Sequence, residues 1–179
     1  MIQEQKWAID FSHSKIGFSI RHFGITETEG QFRKFEGQIF NKNEDFSDAQ
    51  VDVTVDVSSI DTNDTQRDGH LLSADFFEAA KFPNIHFKSN KIEVAGKGNY
   101  KLFGDLTIKG ISKAIELDIE FAGIVPKDPF GNTKAGLFVS GKINRKDFGM
   151  TWNAALDHGG VAVSETVKFN IPIQLLKIQ

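Results

Sequence analysis

Dry and wet side chains alternate along most of this sequence, and that two-residue period restricts the fold more than any other feature. Val51, Val53, Val55 and Val57 alternate with Gln50, Asp52, Thr54 and Asp56, the pattern of a strand with one buried and one solvated face. Ile16, Phe18 and Ile20 do the same against Lys15, Ser19 and Arg21. The period returns in Tyr100, Leu102, Leu106 and Ile108, in Ile115, Leu117, Ile119 and Phe121, in Leu137, Val139 and Ile143, and in Val167, Phe169, Ile171 and Ile173. Weaker strands cover 28–40 and 85–89, the second continuing past Asn90 through 91–95. In the first, Phe32 and Phe35 fall on opposite parity, which predicts a bulge or turn near Arg33 and Lys34. A short segment at 7–10 is expected to add an edge. Turn-forming clusters at 41–45, 95–99, 109–110 and 127–132 separate the runs, so the strands form an antiparallel meander. About eight strands with a dry face cannot leave that face and their edges in water, and a closed barrel or a sandwich follows.

One region reads as helical, 64–81. Asn63 or Asp64 caps it, and Phe76, Phe77 and Phe82 crowd its end before Pro83 stops it. The fold class is therefore all-β, with a short helical segment, in a single domain spanning 1–179. Seventeen Phe against one Tyr and two Trp mean much purely apolar surface that must face something dry. A net charge of -3 with no run of Lys or Arg argues against binding a phosphate backbone, so nucleic acid is not an expected partner. No stretch approaches the roughly 18 apolar residues of a spanning helix. The start of the chain has neither a basic nor an apolar leader segment, so the sequence as written reads as cytoplasmic, or periplasmic if a leader has been removed. Without cysteine there are no disulfides, thiolate nucleophiles or sulfur metal sites.

The barrel interior is the first candidate site. At about eight strands it is just wide enough to be filled by side chains or to hold one slender ligand. Gly30, Gly37, Gly104 and Gly141 lie on or near the inward parity, and a glycine there removes a side chain that a solid core would use, which favours a cavity. Strand parity assigns Phe18, Ile20, Phe32, Phe35, Val53 and Val55 to the lining. Leu106, Ile108, Leu117, Ile119, Leu137 and Val139 join them from later strands. The helical segment, long enough to lie across an open end, adds Leu71, Phe76 and Phe77, and Trp152 comes from 144–160, a long aperiodic loop of the kind that forms lids. Four polar residues at the rim, His22, Arg67, His70 and Arg145, can hold a carboxylate, phosphate or hydroxyl head group. Alternatively Arg67 pairs with Asp75 or Asp68 and only pins the helix. The histidines at 13, 22, 70, 86 and 158 show no metal-ligand spacing, and no nucleophile elbow, P-loop or dinucleotide motif occurs, so neither metal ligands nor catalytic residues are assigned.

Several motifs in order are similar to one known family. They are His13-Ser14-Lys15-Ile16-Gly17-Phe18, His22-Phe23-Gly24, Gly30-Gln31-Phe32-Arg33-Lys34-Phe35-Glu36-Gly37, Arg67-Asp68-Gly69-His70-Leu71, Asp75-Phe76-Phe77, Gly104-Asp105-Leu106-Thr107-Ile108-Lys109-Gly110 and Asn144-Arg145-Lys146-Asp147-Phe148-Gly149. Across nearly the whole chain the sequence resembles the YceI-like family. That resemblance implies an extended lipocalin-like barrel of eight antiparallel strands with a helical segment at one side, enclosing an elongated apolar channel. It implies binding of polyisoprenoids, isoprenoid quinones or isoprenyl phosphates for storage, transport or sequestration. No catalytic activity and no required cofactor beyond a bound lipid come with it, and some members form homodimers. Lys109 and Ala114 depart from the His and Pro often found in relatives. Two other readings stand beside this one: an enzyme acting on isoprenoid lipids, with His70 or His22 as base and Arg67 as phosphate clamp, and a solid-core barrel used for protein interaction.

Overall fold

A computed structural model describes residues 3–178. Its strands are β1 (Gln5–Ile9), β2 (Ile16–His22), β3 (Thr26–Phe32), β4 (Phe35–Asn41), β5 (Gln50–Asp56) and β6 (Ile60–Asp61), followed by helix α1 (Thr65–Leu72). Then come β7 (Asn84–Gly96), β8 (Asn99–Ile108), β9 (Ile111–Val125), β10 (Lys134–Asn144) and β11 (Val163–Lys177). All pairings are antiparallel.

The first six strands are three long ones, each broken once. β1 and β2 lie along the same side of β11, with Trp7 opposite Lys177 and Phe18 opposite Phe169, and a 3-10 turn at Phe11–His13 interrupts them. β3 and β4 pair with β2 and β1 in turn, broken at Arg33 and Lys34 where the parity of Phe32 and Phe35 changes. β5 and β6 pair with β4 and β3. Counted this way the molecule is an eight-stranded up-and-down barrel with one short helix, closed where the first strand meets the last. The 7–10 segment is thus not an edge. β1 hydrogen-bonds β4 on one flank and β11 on the other, because closing the barrel removes the edge it would otherwise present.

Asp64 caps α1, its carboxylate accepting from the backbone N–H of Gln66 and Arg67, each at 3.1 Å. The helix is shorter than the sequence pattern predicts and ends at Leu72. Beyond it the N–H groups of Phe77 and Ala79 reach back to the carbonyls of Leu71 and Leu72, each at 3.0 Å, so the chain folds under the helix in successive turns. This reversal turns Phe76 and Phe77 inward, where a continued helix would have spread them around its circumference.

Two apolar clusters line the barrel. The larger includes Phe32, Val57, Leu102 and Phe148; the smaller, at the other end, is built on Trp7, Ile39, Phe46 and Leu175.

Candidate functional site

Between these clusters the barrel is hollow. A cavity of about 590 Å³ touches both of them, which is mid-range for ligand pockets of about 300–1,000 Å³. The solid-core reading therefore falls. Along β11 alone, Val163, Val167, Phe169, Ile171, Ile173 and Leu175 face the space in sequence. At roughly 3.4 Å per residue and a strand tilt near 40°, that run projects to about 30 Å along the barrel axis. Spread over such a length, the volume is that of a slender tube.

One end is shut. The loop between β4 and β5 folds Phe46 into the barrel, where its ring lies 5.2 Å from both Trp7 and Phe121. Phe46 sits at φ 62, a strained angle for a bulky residue, and the surrounding bonds hold it there. The Trp7 indole N–H donates to Asn41 Oδ1 at 2.8 Å, the Asn41 amide donates to the Asn43 carbonyl at 2.8 Å, and Asp48 accepts from the backbone of Lys42 and Asn43. Tyr100 Oη closes the floor by donating to the Asp45 carbonyl.

The other end is open. Of the residues facing the cavity, the exposed ones are Phe23, Arg67 and Ala154, all at this end. His70, Phe76 and Trp152 form an aromatic cluster beside the opening. The His70 ring meets Phe76 at 5.1 Å and Trp152 at 4.8 Å, both edge to face. His70 Nε2 is also bound to Asp75 Oδ2 at 2.8 Å. This cluster ties the turns after α1 to the loop after β10.

The sequence-predicted residues are brought together almost without exception. Phe18, Ile20, Phe32, Val53, Val55, Leu106, Ile108, Leu117, Ile119, Leu137 and Val139 all face the tube, as do Leu71, Phe76, Phe77 and Trp152. Phe35 does not. It has the inward parity of β4, but its ring packs on Phe11, 5.4 Å away, where the break between β1 and β2 brings that side chain over it. The inward glycines also do something other than expected. A Cβ at Gly30 would lie 2.4 Å from Phe18 Cζ, one at Gly104 2.6 Å from Phe87 Cζ, and one at Gly141 2.8 Å from Leu117 Cδ2. Each glycine lets a neighbouring side chain lie flat on the wall, so the lumen stays open because the lining is thin.

The four polar residues differ in what they can offer a ligand. Arg145 is 3% exposed and donates to the carbonyls of Ser164, Met150 and Trp152, each at 2.8 Å, and of Val163 at 3.4 Å. Burial holds its pKa below the usual arginine value, and nearby Glu165 offsets only part of that. It faces the tube, but its donors knit the loop that follows β10. Arg67 pairs with neither Asp75 nor Asp68. It donates from Nε to Thr62 Oγ1 at 2.8 Å and from Nη2 to the Thr62 carbonyl at 2.6 Å, while Asp68 accepts from Thr62 and Asp75 holds His70. His22 stands at the mouth with its ring 3.8 Å from that of Phe23. The Arg145 guanidinium is taken up by backbone carbonyls, whereas Arg67 gives two of its five N–H donors to Thr62 and keeps the rest at the exposed rim, with Asp64 3.9 Å away. Among the described residues, no group of three or more His, Cys, Asp or Glu is placed to hold a metal, and no helix is long and apolar enough to cross a membrane.

Sequence reasoning left out several lining residues. Val167, Phe169, Ile171 and Ile173, and Phe87 on β7, were legible from strand parity. Phe46 and Met150 sit in aperiodic segments and carry no such signal.

Residues 7–175 match the YceI-like domain family. A UPF0312 protein of Staphylococcus aureus is 36% identical over 163 residues, covering 91% of this chain and 92% of its own. Among solved structures, a YCEI protein of Campylobacter jejuni superposes with a TM-score of 0.76 at 32% identity, covering 95% of this chain and 96% of its own. BcnA of Burkholderia cenocepacia shares the fold, with a TM-score of 0.78 at 23% identity over 93% of this chain and 98% of its own. So does a polyisoprenoid binding domain from Saccharophagus degradans, with a TM-score of 0.68 at 14% identity over 95% and 97%.

Proposed function

We propose that this chain, which belongs to the YceI-like family, sheathes one long apolar chain of polyisoprenoid type in its interior tube, for storage, transport or sequestration, without chemical change. The observation that carries this reading is the tube itself: about 590 Å³, lined by Phe, Ile, Leu and Val, shut at Phe46 and open beside His22 and Trp152. A solvated ligand would gain little there. An apolar one gains roughly 0.8 kcal/mol for each CH2 removed from water, before the cost of ordering the chain. About ten such groups contribute some 8 kcal/mol gross, enough to hold a tail with few polar contacts.

The open end sets the orientation, with the tail inward toward Phe46 and the head among His22, Arg67 and His70. With Arg145 held by backbone carbonyls, the donors left at the mouth are those Arg67 does not give to Thr62 and the His22 ring, enough for a hydroxyl or a quinone carbonyl. The polyisoprenoid binding domain that shares this fold supports the choice of ligand class.

Native mass spectrometry of the purified protein, before and after incubation with an isoprenoid quinone, tests the reading. A complex of one ligand per chain is expected, with a weak dependence on tail length. An empty protein that takes up no quinone would overturn it. The enzyme alternative requires turnover of an isoprenyl diphosphate, and its absence is the expected result.

A further inference from the structure

The turn between β2 and β3 carries an unfavourable residue for its geometry. Phe23 and Gly24 have φ of 53 and 71, and the Ile25 N–H closes the turn on the His22 carbonyl at 3.2 Å. Both central positions are left-handed, a conformation suited to Asn-Gly or Asp-Gly and strained for a bulky side chain. Burial does not compensate. Phe23 is 46% exposed, and Ile25 beside it is 81% exposed. A strained apolar residue held out in water calls for a functional reason.

Its surroundings supply one. The Phe23 N–H donates to the Ala162 carbonyl at 2.8 Å, which fastens the hairpin tip to the loop before β11. In that loop Val161 is 47% exposed, and Ala154 and Ala155 are exposed as well. Phe23 and Ala154 also face the tube, so the apolar lip runs into the apolar lining without a polar break. The lip has no cationic bias. Arg21 and Glu27 face each other across the hairpin, and the 153–162 loop carries only Asp157 and His158.

We propose that this lip docks on the surface of a lipid bilayer, with Phe23, Ile25 and Val161 inserted, so that an apolar chain passes between bilayer and tube without crossing water. The proposal rests on the function proposed above for what is passed. Three side chains of at most about 200 Å² each, partly exposed, cannot reach the roughly 800 Å² per side of a stable protein interface. Shallow insertion into a bilayer needs no complementary partner surface, and a lip without excess Lys or Arg matches uncharged lipid.

The test uses the intact protein, phosphatidylcholine vesicles and the variant Ile25→Ser/Val161→Ser. Both positions lie on the lip and neither faces the tube. The protein is expected to co-sediment with the vesicles equally at low and high salt. The emission of Trp152 should shift as it does so, since Trp7, the other tryptophan, is 1% exposed in the closed end. The variant should lose about tenfold or more in vesicle binding and take up farnesol from detergent as the parent does. Phe23→Asn should raise the thermal midpoint while weakening vesicle binding, separating the lip from the stability of the fold. Equal vesicle binding by parent and variant, or none by the parent, would overturn the proposal. So would a dimer of the parent that the variant breaks, which would assign the lip to a second copy. If the parent fails to take up farnesol from detergent, the reading of the tube falls, while vesicle binding still decides the lip.

Discussion

Gly30→Ala should narrow the tube from within. A Cβ at position 30 would lie 2.4 Å from Phe18 Cζ and 2.9 Å from both Phe18 Cε2 and Thr62 Cγ2. Phe18 pairs across the sheet with Gly30, and its ring now lies over the bare backbone of β3. To regain van der Waals distance the ring must retreat by about 1 Å or more, and the space available to it is the lumen it already faces. A ring displaced by that distance takes the room of about one or two methylenes, each contributing roughly 0.8 kcal/mol to a bound tail, so the loss is about 1–1.5 kcal/mol. At about 1.4 kcal/mol per decade, the dissociation constant for a long isoprenoid weakens about tenfold. Overpacking costs the fold only about 1–3 kcal/mol, so the protein remains folded. Fluorescence titration with a long-chain isoprenoid quinone, beside a urea unfolding curve, reads both numbers. Gly136→Ala is the control, since the nearest atom to its Cβ would be Ala122 Cβ at an ordinary 3.7 Å. Unchanged affinity in a folded Gly30→Ala protein, or an equal loss in Gly136→Ala, would refute the thin-wall account.

Phe46→Ala should lower stability by about 3–5 kcal/mol in denaturant unfolding and shift preference toward longer tails by removing the floor. Arg145→Lys, which keeps the charge but cannot span the four carbonyls, should cost about 2–4 kcal/mol, and limited proteolysis should cut first within 150–162. Asp10 gives the fold a pH dependence. Burial pushes its carboxyl up, but bonds from Ser12, Gln174 and His13 outweigh this and hold it down to about 2. A depressed folded pKa stabilises the protein above the ordinary value of 3.8 and is lost as pH falls toward 2. Asp10→Asn should therefore be about 1–2 kcal/mol less stable than the parent at neutral pH, a gap that closes near pH 2 in urea titrations.

The walls of this barrel were legible because a two-residue period states which side chains share a face. Even the break at Arg33 and Lys34 showed in the parity of its flanking phenylalanines. What stayed hidden depends on long-range neighbours. Phe46 is a lone aromatic in a polar loop, and its part in closing the tube exists only once Trp7 and Phe121 arrive from distant strands. The segment at 7–10 closes the barrel because its partner lies at the far end of the chain, at 175–177. Arg145 reads as a free cation until its backbone carbonyl partners, which leave no trace in side-chain identity, come into place. The inward glycines were visible, but whether a missing side chain makes a void or a seat for a ring depends on rotamers. Phe35 followed parity and still missed the lumen, for Phe11 covers it.

A tube entered from one end only must hold the far tip of a bound tail at its floor. Crystals equilibrated with an isoprenoid alcohol brominated at its terminal carbon would reveal that tip by anomalous scattering. The bromine should lie near Phe46 and Phe121, with the hydroxyl beside His22. A bromine at the mouth beside Phe23, or none inside the barrel at full saturation, would contradict it.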